Sequence, residues 1–215
     1  MAGRKPDPTK RAQILRAATD VFSAREFHTV PVEDVATAAR VGKGTLYLYF
    51  PTKEQLFYAT ILEALDVLHT ELVAATHKRG GKHALRAFVA CLLDFFWRRR
   101  HLAVLMHRYE HRLREPEGVE WRARRARLVA LARAIIQPEV RAGRIAAADA
   151  TLATEMLLAL VRAAVLNHQD HDRPERAVEL IVGLFLHGLR RARRRTTRRP
   201  VQTVHAAGRA AGARA

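Results

Sequence analysis

Cysteine is nearly absent: Cys91 is the one thiol among 215 residues. No internal disulfide can form, and no zinc site built on several thiolates is available; that usage fits a reducing cytosol. The first residues, MAGRKPDPTK, contain no apolar core, so no secretory leader is expected. No segment carries the period-two alternation of a strand, and no internal repeat is evident. The most apolar run, ATLATEMLLALVRAAVL, is interrupted by Glu155 and Arg162. Charges at mid-membrane depth cost about 2.5–3.5 kcal/mol each on insertion, so the run reads as a buried helix and no membrane partner is expected. Acidic residues are also short, 21 against 38 Lys and Arg, giving a formal charge of +17. No nucleophile–base–acid set stands out. His107 and His111 are four apart on an expected helix, but HRYEH is not HExxH and no third ligand follows by spacing. An enzyme is therefore the weakest function class, with no catalytic residue and no metal ligand to nominate.

What is present is apolar residues at helical spacing almost throughout, in a chain long enough to bury a sizeable core. The expected class is all-α, with about nine helices. The first opens at Asp7–Pro8, or at Thr9 as an alternative cap. Two short helices follow over 32–39 and 43–49. A fourth starts at Thr52, where TKEQ has the capping-box form, and runs towards His77. The later helices span roughly 83–99, 102–114, 119–142, 149–167 and 175–193, with Pro138 kinking or interrupting the third of these. The charge is uneven. Residues 1–60 hold nine Lys/Arg and six Asp/Glu, whereas residues 189–215 hold nine Arg and no acid. An excess of this sign favours an anionic partner.

Three short helices before a capped fourth suggest a helix-turn-helix, with its turn at 40–42 and its reading helix at 43–49. Seven residues do not hold a helix by propensity, so packing by Val35, Val41, Leu46 and Phe50 must fix it. Lys43, Thr45, Tyr47, Leu48 and Tyr49 then spread over the outward arc. Lys43 and Thr45 lie in the first turn, where free backbone N–H groups favour phosphate. Gly42 and Gly44 keep the backbone low for close approach. The two tyrosines are stiff and carry a hydroxyl suited to phosphate oxygens at a groove edge, and Lys53 adds a further anion site. The plainer alternative is that KGTLYLYF is a core turn with a solvated lysine.

The segment PVEDVATAARVGKGTLYLYFPTKEQLF closely resembles the DNA-binding domain of the TetR family of bacterial transcriptional regulators, over about residues 10–60. The resemblance implies a helix-turn-helix DNA-binding domain (9–56), after a flexible arm (1–8), and a larger C-terminal ligand-binding and dimerisation domain (57–193); the residues that follow (194–215) lack apolar periodicity and read as a disordered basic tail. It implies a homodimer on a palindromic double-stranded operator, released by an unidentified small-molecule effector, in the bacterial cytoplasm and at the nucleoid when bound. Carried onto this chain, Lys43, Gly44, Thr45, Tyr47 and Tyr49 face DNA, Lys53 meets a phosphate, and Leu48 stands where members often carry a polar residue, suiting a thymine methyl. Glu26 and Arg40 stand where glycine is common. Val30 and Pro31 replace the usual Thr/Ser pair, so Thr29 is the candidate substitute for capping the second helix and touching phosphate. Arg40 can add a phosphate contact.

The last two helices are apolar on more than one side, which asks for burial on both. Leu152, Met156, Leu160, Ala163, Leu180, Leu184 and Phe185 are the expected two-fold interface; a monomeric core is the alternative. Candidate effector-pocket residues among the middle helices are Phe88, Cys91, Phe95, Met106, Tyr109, Trp121 and Met156. His168 and His171, near Asp170 and Asp172, read as a polar loop. The second function class is an architectural DNA binder acting through its arginine tail, which a comparison of specific with random DNA at rising salt separates from a sequence-specific regulator. Arg4 and Lys5 are candidates for an arm on DNA.

Overall fold

The structure, a computed structural model, describes residues 7–113, 118–143, 145, 149–167 and 174–188, with residues 105 and 108–113 described by backbone alone. Arg4, Lys5, the side chains of Tyr109 and His111, the 168–173 loop and the arginine tail lie outside the described residues. All regular structure among the described residues is helical, in nine helices: α1 (Pro8–Ala24), α2 (Val32–Ala38), α3 (Lys43–Tyr49), α4 (Lys53–Thr76), α5 (Gly81–Arg98), α6 (Arg100–Leu113), α7 (Val119–Arg141), α8 (Ala150–Asn167) and α9 (Pro174–Gly183). A 3-10 turn at Phe27–Thr29 joins α1 to α2, and a π turn at Leu184–Gly188 extends α9. The fold is all-α, an N-terminal helix-turn-helix followed by a larger helical domain.

Caps written in the sequence set the first helices. Asp7 accepts the Thr9 N–H at 2.9 Å and Pro8 opens α1. Thr52 accepts the Gln55 N–H at 3.1 Å and opens α4. Between α2 and α3 the chain reverses through a Schellman motif. Val41 N–H reaches Ala36 O and Arg40 N–H reaches Thr37 O, each at 2.9 Å, with Arg40 left-handed at φ 51°. Gln13 on α1 donates to Ala39 O at 2.7 Å and pins the same turn.

The N-terminal core is closely filled. Ile14, Ala18, Val35 and Leu46 are buried around Phe22, Phe27 and Phe57, whose ring centroids lie 5.0–5.6 Å apart. Burying each such side chain contributes roughly 1.5–3 kcal/mol, which holds a seven-residue α3 that has little stability alone. α4 packs on α1 near its start and on α5 and α7 further along, so one continuous helix of about 36 Å runs from the first core into the second. α1 also packs on α6.

In the larger domain α5 is central, packing on α4, α7, α8 and α9. Pro138 lies in the last turn of α7 and does not interrupt it. Among the described residues α8 is the one helix long and apolar enough by composition to cross a membrane. It is not the fully buried helix that its sequence suggests. Ala153, Leu157, Val161 and Val165 are buried, while Leu152, Met156 and Ala163 are exposed.

Candidate nucleic-acid interface

α3 is short, and its frame fixes what it presents. Leu46 and Phe50 are buried and Val41 packs against them at the core's edge. Phe50 also lies under the Arg11 guanidinium, 5.4 Å from the ring centroid. With that side anchored, Lys43, Gly44, Tyr47 and Leu48 face outward, Leu48 at 67 % exposure. Thr45 is half-buried. No Cβ at Gly44 would meet another atom, so its backbone is open to close approach. Gly42 is the N-cap and offers no side-chain acceptor.

Several of the expected DNA-facing groups already have a partner inside the domain. The Lys43 ammonium is ion-paired with Glu33 on α2 and lies 5.9 Å from the Tyr47 ring centroid. That bond raises the Lys43 pKa and lowers that of Glu33. The Tyr49 hydroxyl accepts the Asp7 N–H at 2.9 Å, so this half-buried tyrosine ties α3 to the start of α1 while its O–H stays available to an outside acceptor. Lys53 turns inward: its ammonium donates to Phe27 O at 2.5 Å and lies 4.3 Å from the Phe27 ring centroid, and burial lowers its pKa. Thr29 does not cap α2. Its hydroxyl donates to Glu26 O at 2.8 Å, and α2 starts at Pro31 with no side-chain cap. Arg25 occupies the space beside it, bonding Asp34 at 2.5 Å and Thr29 O at 3.0 Å. Arg40 is exposed at the turn.

The second domain holds a cavity of about 390 Å³, partly open to solvent, between α4, α5, α6, α7 and α8. Leu68, Phe88, Leu92, Met106, Trp121 and Leu158 form much of its apolar wall. Of the residues expected there, Phe88, Met106 and Trp121 line it. Phe95 does not; it is packed in the core. Cys91 is half-buried outside the lining, its thiol pushed up to about 11 by burial. Met156 points away from the cavity, onto the outer face of α8. Sequence reasoning missed Arg125 and Glu155, which meet across α7 and α8 through two hydrogen bonds of 2.6 and 3.2 Å at the cavity wall. Arg162 and His107 line the same cavity. A signal did exist: Glu155 and Arg162 are the two charges inside the most apolar run.

Leu152 and Leu180 are 60 % and 62 % exposed, and Met156 and Leu184 are also exposed, so α8 and α9 both carry apolar residues outward. Ala163 is exposed and Leu160 half-buried. Phe185 departs from expectation: it is 1 % exposed and belongs to the core, because it lies three and four residues beyond the buried Val182 and Ile181 on the inward stripe of α9.

Comparison with known proteins matches the same two regions. Residues 14–60 match the family model described as bacterial regulatory proteins, tetR family, and residues 80–166 match the tetracyclin repressor-like C-terminal domain. The transcriptional regulator RutR of Escherichia coli is 34 % identical over 85 residues, 40 % of each chain; the match thus spans less than half the length of this curated relative. The crystal structure of the TetR family regulator PfmR from Thermus thermophilus aligns with a TM-score of 0.67 and 27 % identity, over 83 % of this chain and 99 % of that one. That of FadR from Bacillus subtilis, in complex with stearoyl-CoA, aligns with a TM-score of 0.66 and 21 % identity over 82 % and 98 %, a likeness of fold.

Proposed function

The chain belongs to the tetR family of bacterial regulatory proteins, DNA-binding transcriptional regulators rather than enzymes, and from that premise we propose a two-fold, ligand-responsive repressor of a palindromic operator. The observation that carries the reading is the outward row of Lys43, Gly44, Tyr47 and Leu48 on a helix locked from behind by Leu46 and Phe50. A helix so mounted fits a major groove, with its first turn on phosphate and Leu48 against a thymine methyl. Lys43 reaches phosphate by exchanging its carboxylate partner Glu33 for the stronger local anion. Lys53 and Tyr49 act mainly as braces of the reading helix, Thr29 as part of the turn before α2, and Arg40 as a flanking phosphate contact.

In this reading the domains are divided as the sequence suggests, 9–56 and 57–193, with α4 shared across the boundary. The outward apolar residues of α8 and α9 form the two-fold interface: Leu152, Met156, Leu160, Ala163, Leu180 and Leu184. Exposed apolar patches on this scale mark association surfaces. The cavity lined by Phe88, Met106 and Trp121 holds the small-molecule effector, and the protein works in the bacterial cytoplasm. The test is binding of the full-length protein to its own upstream intergenic DNA and to random DNA at rising salt. Tyr47→Ala is expected to weaken the specific complex at least tenfold while leaving helix content unchanged. Equal affinity for both DNAs would move the function to charge-driven architectural binding, and specific binding indifferent to Tyr47→Ala would remove the assigned surface.

A further inference from the structure

The wall of the cavity between α4 and α8 carries few polar side chains. His107, Trp121, Arg125, Glu155 and Arg162 are the polar ones among its described lining residues; the rest are leucine, valine, alanine, phenylalanine and methionine. No hydroxyl and no side-chain amide stands in that lining. A sugar or a nucleobase brings several donors and acceptors at once, and most of them find no side-chain partner here, so burying such a molecule is costly.

The charges in the wall are already matched. The Arg125 guanidinium and the Glu155 carboxylate meet as a fork, using both carboxylate oxygens at 2.6 and 3.2 Å. His107 and Arg162 are exposed, and each has a partner of its own. An ionised ligand of either sign gives up its hydration on entry and finds a counter-charge only by prising one of these groups from its partner. What an exposed cation returns for that is small.

One polar group in the wall is left over. Trp121 is 6 % exposed, and its indole N–H is buried without a hydrogen-bond partner, the one such side-chain atom in the described lining. Buried polar groups are nearly always bonded. An indole N–H donates and does not accept, so the missing partner is an acceptor. Phe88, Phe96 and Trp121 add aromatic walls suited to a flat ring, and about 390 Å³ lies in the range that takes a drug-sized molecule.

We infer that the effector is an uncharged, mainly apolar, ring-bearing molecule whose carbonyl or ether oxygen accepts the Trp121 indole hydrogen bond. The class is set by matching: apolar walls for the rings, paired charges that turn ions away, and one donor awaiting one acceptor. The inference rests on the reading of this cavity as the effector site and gives that site a ligand class.

The experiment is calorimetric titration of the full-length protein with four compounds of one skeleton: 2-acetylnaphthalene, 2-ethylnaphthalene, 2-naphthoate and 1-(2-naphthyl)ethylammonium. The ketone is expected to bind tightest, about fivefold more tightly than the ethyl compound, which lacks the acceptor, and at least tenfold more tightly than either ion. Trp121→Phe keeps the ring and removes the donor, so it should erase the ketone's advantage over the ethyl compound. Glu155→Gln unpairs Arg125 and should raise the affinity for naphthoate at least tenfold. Naphthoate or the ammonium compound binding as tightly as the ketone overturns the uncharged class, as does a naphthoate affinity indifferent to Glu155→Gln. Equal binding of ketone and ethyl compound, or a ketone advantage that survives Trp121→Phe, overturns the role of the indole. Binding of none of the four overturns the cavity as a site for such molecules. Operator binding is measured separately on the ligand-free protein. A protein that takes up the ketone but ignores DNA refutes the regulator reading and leaves the ligand class standing; operator release by an ionised compound that also excludes the ketone does the reverse.

Discussion

Around Phe22 three aromatic rings touch at 5.0–5.6 Å, and the polar groups on the surface above them are largely paired with one another. Around Phe88 the same kind of side chains border about 390 Å³ of partly open space, and on the outside of α8 and α9 apolar residues stand uncovered. The first region is finished by its own chain. On the function proposed above, the second is completed from outside its own chain, by a ligand within and a second copy without. A filled core is rigid and passes displacement on; a hollow one gives up dispersion contacts and gains a place where binding can do work. On the proposed function the difference matches two tasks, holding a reading helix still and responding to a ligand.

The strongest way to break this contrast is truncation on each side. Phe22→Ala should cost about 3–5 kcal/mol in urea melts, because no neighbour can collapse into the gap. Leu128→Ala, at the cavity wall, should cost only about 2 kcal/mol, since part of that side chain already faces space. Equal losses would mean that the cavity closes in solution. Next in size is the outer face. Leu180→Arg should raise the dimer dissociation constant by about thirtyfold or more, the effect of losing an interface anchor worth roughly 2 kcal/mol, as read by sedimentation or light scattering. An unchanged oligomeric state would leave these residues as plain surface. Smaller still is the turn. Arg40 holds a left-handed conformation in which a side chain is strained, so Arg40→Gly should stabilise the fold by about 1 kcal/mol. The smallest effect expected is at the surface pair. Glu33→Gln releases Lys43 and should tighten operator binding a few-fold with little change in melting temperature. The sign with pH is the same: the Glu33 pKa is depressed in the fold. The pair's contribution is therefore present above the ordinary glutamate range and lost as pH falls through the depressed value, which frees the lysine in acid.

The limits of α3 and α4 and the caps at Asp7 and Thr52 were legible in the sequence, because each depends on residues within one turn of itself. Arg40 was legible as a residue standing where glycine is common, and the left-handed backbone there gives the reason. What could not be read was every relation between helices. Lys43 meets Glu33 only because α2 and α3 cross at that angle, and Lys53 folds back on Phe27 because the 3-10 turn brings that carbonyl within reach. The two-sided apolar pattern of α8 was visible, but which side turns inward is set by packing on α5 and α7. Phe185 shares a stripe with Val178, Ile181 and Val182 at helical spacing, but which stripe of α9 turns inward was set by packing on α5. Arg125 and Glu155 come from helices 30 residues apart in sequence and become one site only in the fold.

Asp66 sits on α4 and is gripped twice from α7, by Arg124 at 2.9 Å and by Arg127. Arg125, in the cavity wall, lies between those two grips in the sequence. On the proposed function, a roll of α7 on ligand binding would be passed to α4 through Asp66. A lever of about 36 Å swung through about 5° carries its tip about 3 Å. For the two-fold repressor proposed above, that would take one head out of step with a groove that returns every 34 Å or so.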